Sequence, residues 1–173
     1  MTHKRFFVAV AVLLTFSNLA HAQGANSGGQ DNIRRHSGQG YFFFAPGVIT
    51  GGGSSEGTMH FGGGFDIFAY KGLGFGGEAG YLAPWDYLSD GMGLASVNGS
   101  YHFRRNSKVT PFVTAGYSIG FRTDHVDLVN FGGGLNYWFS DRVGMRLEFR
   151  DHLHSTSYAN WHYVGFRVGL SLR

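Results

Sequence analysis

From residue 40 onward the apolar side chains recur at every second position, and that period constrains the fold more than any other feature of the sequence. A period of two puts alternate side chains on opposite faces of a strand, whereas an amphipathic helix needs a 3.6-residue spacing, which no stretch of this region carries. The last residues give the clearest case. Val164, Phe166, Val168, Leu170 and Leu172 alternate with Gly165, Arg167, Gly169, Ser171 and Arg173. Val143, Met145, Leu147 and Phe149 alternate in the same way with Gly144, Arg146, Glu148 and Arg150. Further on toward the N-terminus, Met59, Phe61, Phe65, Ile67 and Ala69 share one face, and His60, Gly62, Gly64 and Asp66 the other. With segments near 40–49, 73–83, 92–103, 109–121 and 128–139, the pattern predicts eight strands of about ten residues, the length with which a tilted strand crosses a bilayer.

The connectors alternate as well. Lys71-Gly72, 104–108 and 140–142 read as short polar turns, and 51–57, 84–90, 122–127 and 151–161 as longer loops, with no helix in this part of the chain. Short turns at one end and longer loops at the other belong to an all-β, eight-stranded antiparallel up-and-down transmembrane β-barrel. A soluble eight-stranded barrel is the structural alternative, with its apolar side chains inside and its polar ones outside. Two features favour the membrane. The polar face mixes charges with many glycines, a poor solvent coat and a good lining for a narrow lumen. The apolar face carries aromatics near strand ends, Tyr101 with Phe103 and Tyr137 with Phe139, as an interfacial girdle does.

An eight-stranded barrel is only wide enough for its inward side chains to fill, so large inward residues need small neighbours. If the turn at Asp141 keeps like faces aligned, Gly134 lies opposite Glu148, Gly132 opposite Arg150 and Asn136 opposite Arg146. In the hairpin at Lys71, Gly64 faces Glu78 and Gly76 faces Asp66. The inward charges are then Asp66, Glu78 and Glu148 against Arg146, Arg150 and Arg167. Unpaired burial costs several kcal/mol for each ion, so three against three predicts a salt-bridged plug in which Glu148 pairs with Arg167, Arg146 or Arg150, Arg167 being preferred.

The N-terminus reads differently. His3-Lys4-Arg5 is a positive start, Phe6 to Phe16 is apolar apart from Thr15, and Ala20-His21-Ala22 offers a small-x-small cleavage pattern. Residues 1–22 are therefore expected to be a secretory signal peptide, 23–38 a disordered periplasmic leader, and 39–173 the barrel. Without Lys4 and Arg5 the remaining basic side chains number about 12 against 11 acidic ones, and no long basic run survives, which argues against nucleic acid. The absence of cysteine excludes disulfides and thiolate metal sites.

The stretch from Phe131 to Asp151, FGGGLNYWFSDRVGMRLEFRD, resembles the penultimate hairpin of small outer-membrane barrels, the relatives of the OmpA transmembrane domain and the opacity-type surface proteins. Gly63-Gly64-Phe65 with Glu78-Ala79-Gly80-Tyr81 is similar to an earlier hairpin of that family. The resemblance covers nearly all of the expected barrel, through loose motifs. It implies a structural or adhesin-like role without enzymatic activity, an outer-membrane location with short turns and N-terminus periplasmic and loops extracellular, and a monomer. The implied partners are outer-membrane lipid, lipopolysaccharide and the barrel-assembly machinery, and no cofactor is expected. One departure stands out: such barrels often end on an aromatic that the assembly machinery reads, and here the last residues are Leu172-Arg173.

Alternative readings rest on fewer residues. A narrow conduit for small apolar molecules is one. Another is a lipid-A-modifying enzyme; deacylases of that kind use a His-x-Ser pair with a downstream carboxylate, and this sequence has no His-x-Ser. His152 and His154, with Asp151 before them and His162 after, are weak candidates for a metal in the last loop. Gly72-x-Gly74-x-x-Gly77 matches the dinucleotide fingerprint, but Phe75, Ala79 and Tyr81 continue a strand where that motif needs a helix. Charge is also polarised. The loops hold Glu56, Asp86, Asp90, Asp124, Asp127 and Asp151 against Arg122, while the short turns hold Lys71, Arg104, Arg105, Lys108 and Arg142 against Asp141.

Overall fold

A computed structural model describes residues 37–105, 107–155 and 160–173. The expected signal peptide, and the expected leader up to residue 36, lie outside the described residues. Eight strands follow one another: β1 (Gly38–Gly51), β2 (Ser54–Tyr70), β3 (Leu73–Pro84), β4 (Met92–His102), β5 (Val109–Phe121), β6 (His125–Trp138), β7 (Val143–Ser155) and β8 (Asn160–Leu172). Each pairs antiparallel with its neighbour, and β8 returns to β1, so the sheet is a closed up-and-down barrel. Among the described residues the only helical element is a 3-10 turn, Leu88–Asp90, a small departure from the helix-free expectation.

The two faces are sorted in the sense that rules out the soluble alternative. Phe42, Ile67, Phe75, Val97, Phe149 and Leu170 point outward, each more than half exposed, while Arg146, Glu148, Arg150, Arg167, His60 and Asn136 are fully buried inside. Water would penalise that arrangement on both faces; hydrocarbon outside and a polar lumen reward it. No helix among the described residues is long and apolar enough to cross a membrane, and the strands supply the crossing. Around the turn end the outward rings pair edge to face, Tyr101 with Phe103 at 4.8 Å and Tyr137 with Phe139 at 5.4 Å.

The registers inferred from large-against-small matching hold. Gly134 faces Glu148, Gly132 faces Arg150 and Asn136 faces Arg146 across β6 and β7. Gly64 faces Glu78 and Asp66 faces Gly76 across β2 and β3. The fit is steric. A Cβ on Gly64 would sit 2.7 Å from the Tyr41 hydroxyl, and one on Gly76 would sit 2.9 Å from Asp66 Oδ1.

The loop lengths need correction. Residues 51–57 read as a loop from their glycine and serine content, yet β1 and β2 stay paired through Gly51 and Ser54 and reverse at Gly52-Gly53. Both of these glycines have positive φ, 57° and 82°, the backbone of a tight two-residue hairpin turn. Likewise β6 begins at His125, β7 runs to Ser155 and β8 starts at Asn160, all within segments expected to be loops. Strand pairing needs only backbone amides, so the ladder continues past the point where lipid stops selecting apolar side chains. Among the described connections at this hairpin end, only 85–91 is a loop of the expected length.

One interruption marks the closing seam. The β1–β8 register runs to Phe44↔Val168 and resumes at Gly47↔Gly165, so Ala45 and Pro46 have no ladder partner on β8. Pro46 has no N–H to offer.

Candidate functional site

β7 places Arg146, Glu148 and Arg150 two residues apart, so all three enter the lumen from one strand. β8 adds Arg167 directly opposite Glu148, β3 adds Glu78 and β2 adds Asp66. The six converge. Glu148 accepts from Arg146 Nε at 2.9 Å and from Arg150 Nε at 2.5 Å. Glu78 Oε2 accepts from Arg167 Nη1 at 2.7 Å, from the Tyr41 hydroxyl at 3.1 Å and from Arg150 Nη1 at 3.4 Å. Asp66 Oδ2 accepts from Gln39 Nε2 at 3.0 Å, and lies 3.5 Å from Arg146 Nη1 and 3.6 Å from His102 Nε2. Asp66, Arg146, Glu148, Arg150, Glu78 and Arg167 thus form one chain of alternating charge, none more than 6% exposed.

The structure redraws one pair within this chain. Arg167 is the cross-strand neighbour of Glu148, but its Nη1 stands 3.9 Å from Glu148 and bonds Glu78 instead. The guanidinium reaches past its neighbour toward the carboxylate from β3, and Glu148 is already occupied by Arg146 and Arg150.

Sequence reasoning missed the aromatic plates that hold these arginines. Arg146 Cζ lies between the rings of Tyr41, at 4.1 Å, and Phe112, at 4.0 Å. Arg167 Cζ lies 4.2 Å over Phe43. A guanidinium between ring faces keeps its edge free for carboxylates while its faces are covered.

Toward the hairpin end His60, His152 and Tyr163 cluster in the lumen, with ring centroids 5.3–6.2 Å apart. His152 is therefore a buried lumen residue and not, as expected, part of a loop. Its ring nitrogens, those of His60 and the Tyr163 hydroxyl have no protein hydrogen-bond partner, the kind of polar edge that buried water satisfies. His154 Nδ1 meets the Asp127 carbonyl oxygen at 2.7 Å. Among the described residues no group of three or more His, Asp or Glu side chains is arranged to hold a metal.

On the outside near the same end, His162 Nδ1 lies 3.0 Å from Asp151 Oδ2, an oriented acid–base pair. Thr50 is the cross-strand neighbour of His162, and the Ser155 hydroxyl donates to Asn160 Oδ1. Among the described residues no serine or threonine hydroxyl is hydrogen-bonded to His154 or His162.

No protein-family model matches the sequence, and no curated protein matches it either. Solved structures do. The chain has the fold of the small eight-stranded outer-membrane β-barrels. Neisserial surface protein A superposes with a TM-score of 0.61 at 12% identity, over 79% of this chain and 97% of that one. The N-terminal β-barrel domain of Pseudomonas aeruginosa OprF gives 0.55 at 17% identity, over 79% and 98%. Ail, the attachment invasion locus protein of Yersinia pestis, gives 0.55 at 13% identity, over 78% and 97%. A further crystal structure holds Ail in complex with the heparin analogue sucrose octasulfate. At such identities the likeness is one of fold.

This barrel's two ends differ in charge. At the hairpin end Arg122 bonds Asp90 at 3.0 Å, and the other acidic side chains there outnumber it. At the turn end the cations lie over aromatic rings: Arg173 Cζ is 3.6 Å over Trp138, Arg105 Cζ 3.7 Å over Phe68, Lys71 Nζ 5.0 Å over Tyr70 and Lys108 Nζ 5.2 Å over Tyr137.

Proposed function

We propose that this protein is a non-enzymatic barrel of the bacterial outer membrane, with a structural or surface-interaction role and a lumen plugged by its Glu/Asp–Arg chain. The turn end and N-terminus face the periplasm in this reading, and the hairpin end faces outward. The observation that carries it is the six-residue ion-pair chain running across the lumen. An open conduit needs a hydrated path, whereas here the arginines bridge carboxylates from three strands, Arg146 lies between two rings and Arg167 lies over one. The barrel is inserted as a monomer by the assembly machinery and sits among lipid and lipopolysaccharide.

Surface contact falls to the hairpin end. Its excess of acidic side chains favours cationic partners, or divalent cations that bridge lipopolysaccharide, and opposes a sulfated polyanion of the kind bound to Ail. The test is planar-bilayer recording of the purified barrel. No single-channel conductance is expected from the unmodified protein, and steady conductance across the unmodified barrel would overturn the plugged reading. A deletion strain with lipid A mass spectra unchanged from the parent, but with altered envelope sensitivity or adhesion, is the matching cellular result.

A further inference from the structure

The turn end gathers Lys71, Arg104, Lys108, Arg142 and Arg173, with Asp141 the one acidic side chain of its short turns. The Arg173 backbone N–H donates to the Arg142 carbonyl oxygen at 2.9 Å, and Arg173 Nη2 donates to the Arg105 carbonyl oxygen at 3.1 Å. These two contacts bring Arg173 to the backbones of Arg142 and Arg105, two arginines of separate turns. Burial and the neighbouring Arg105 push the Arg173 guanidinium down to about 10, below the usual arginine range. Among the described residues no carboxylate lies within ion-pair distance of Lys71, Arg104, Lys108, Arg142 or Arg173. Holding like charges together costs stability unless an anion is supplied from outside.

Beside them opens a cavity of about 860 Å³, between the β2–β3 and β4–β5 turns. Lys71, Arg104 and Arg105 line it together with Phe68, Tyr101 and His102. The volume is in the range of sites that take a small molecule. Its wall combines cations with rings, and Tyr101 belongs to the outward aromatic pair that marks the membrane interface. A group at that depth is neither in bulk solvent nor in hydrocarbon. It lies level with lipid head groups.

We propose that this cavity and the surrounding cations form a binding site for the phosphodiester head group of an anionic phospholipid. Lys71 and Arg104 face the phosphate, and the aromatic wall covers the glycerol and the first carbons of the acyl chains. The proposal rests on the membrane-barrel reading and goes beyond it in assigning a lipid class to one end of the barrel.

Isothermal titration of the folded barrel in dodecyl maltoside micelles tests it, with dihexanoyl phosphatidylglycerol, dihexanoyl phosphatidylcholine and inorganic phosphate as probes. Phosphatidylglycerol should bind at least about tenfold tighter than phosphatidylcholine at low salt, and less so at high salt. Each cation near a lipid surface is worth about fivefold, so Lys71→Gln with Arg104→Gln should weaken phosphatidylglycerol binding by about 25-fold. Asp86→Asn with Asp124→Asn, at the other end, should leave it unchanged. Equal affinity for the two lipids, or no loss in the Lys71/Arg104 variant, would overturn the assignment. Inorganic phosphate that binds as tightly as the lipid would assign the site to a free anion instead. Folding is read separately from heat-modifiable gel mobility, and Arg104→Gln alone, expected to weaken binding about fivefold, replaces the double variant if that one does not fold. A wild-type chain that never folds in detergent or lipid would instead defeat the barrel reading itself.

Discussion

The alternating charge chain predicts which lumen pairs are coupled and which are only adjacent. Glu78→Gln removes one of three carboxylates and leaves Arg167 without its 2.7 Å partner in a lumen where both side chains are 1% exposed. Breaking a buried pair from one side costs about 3–5 kcal/mol, because the remaining charge stays desolvated. Arg167→Met restores the balance and keeps a long side chain against Phe43, so the double variant should lose about 2 kcal/mol less than the two single losses added together. Repeating the cycle with Glu148 in place of Glu78 should give a smaller coupling, since Glu148 stands 3.9 Å from Arg167 and is bonded by Arg146 and Arg150. The assay is urea unfolding and refolding in lipid vesicles, followed by tryptophan fluorescence. If the Glu148–Arg167 coupling equals or exceeds that of Glu78–Arg167, the cross-strand neighbour is the true partner and the redrawn pairing is wrong.

Other substitutions separate steric, lipid and hydration effects. Gly134→Ala should cost about 1–3 kcal/mol by the same unfolding assay, because its Cβ would sit 2.8 Å from Glu148 Cα and overlap the Leu147 carbonyl oxygen. Leu147→Arg, on the outward face of β7, should cost about 2–4 kcal/mol in vesicles, and a loss below about 0.5 kcal/mol would show that Leu147 does not face hydrocarbon. His60→Leu removes ring nitrogens that have no protein partner, so its loss should stay within about 1 kcal/mol, well below that of Glu78→Gln.

The parts of this fold legible in the sequence are those where lipid and steric room both select residues. On β7, Val143 to Arg150 alternates without a break, and the glycines of β6 sit opposite its large side chains, so period and volume give the same register. The aromatic plates were not legible. Tyr41, Phe42, Phe43 and Phe44 are aromatic on both parities, so alternation cannot say that Tyr41 and Phe43 turn inward, and nothing in a lone Phe112 signals an arginine lying on it. The hairpin end was misread for a different reason. Ser54, Ser55, Glu56 and Gly57 are turn-forming residues by composition, and their pairing with β1 is fixed by the Gly52-Gly53 reversal and backbone amides, which leave no apolar pattern. Of the three partners expected for Glu148, Arg146 and Arg150 bond it, while the preferred Arg167 stands at 3.9 Å and bonds Glu78, because register fixes Cα partners and leaves open how far a guanidinium reaches.

Pro46 bears on how such a molecule comes together. Seven of the eight strand contacts join neighbours in sequence and can zip from a turn, but the eighth must bring β1 to β8 across the whole length of the barrel. That last contact is the slowest to find. A proline at its middle, with Ala45 beside it also unpaired, divides the closure into two short zippers, Gly40 to Phe44 and Gly47 to Thr50, which need not form at once. An unclosed edge would otherwise be a long row of open amides, ready to pair with another chain, and a proline blunts such an edge while it waits. After closure the same gap leaves the seam the easiest place for the wall to breathe. Amides of β8 around Phe166 should exchange with solvent deuterium sooner than those of β4 and β5, whose ladder runs unbroken from Gly93 to His102.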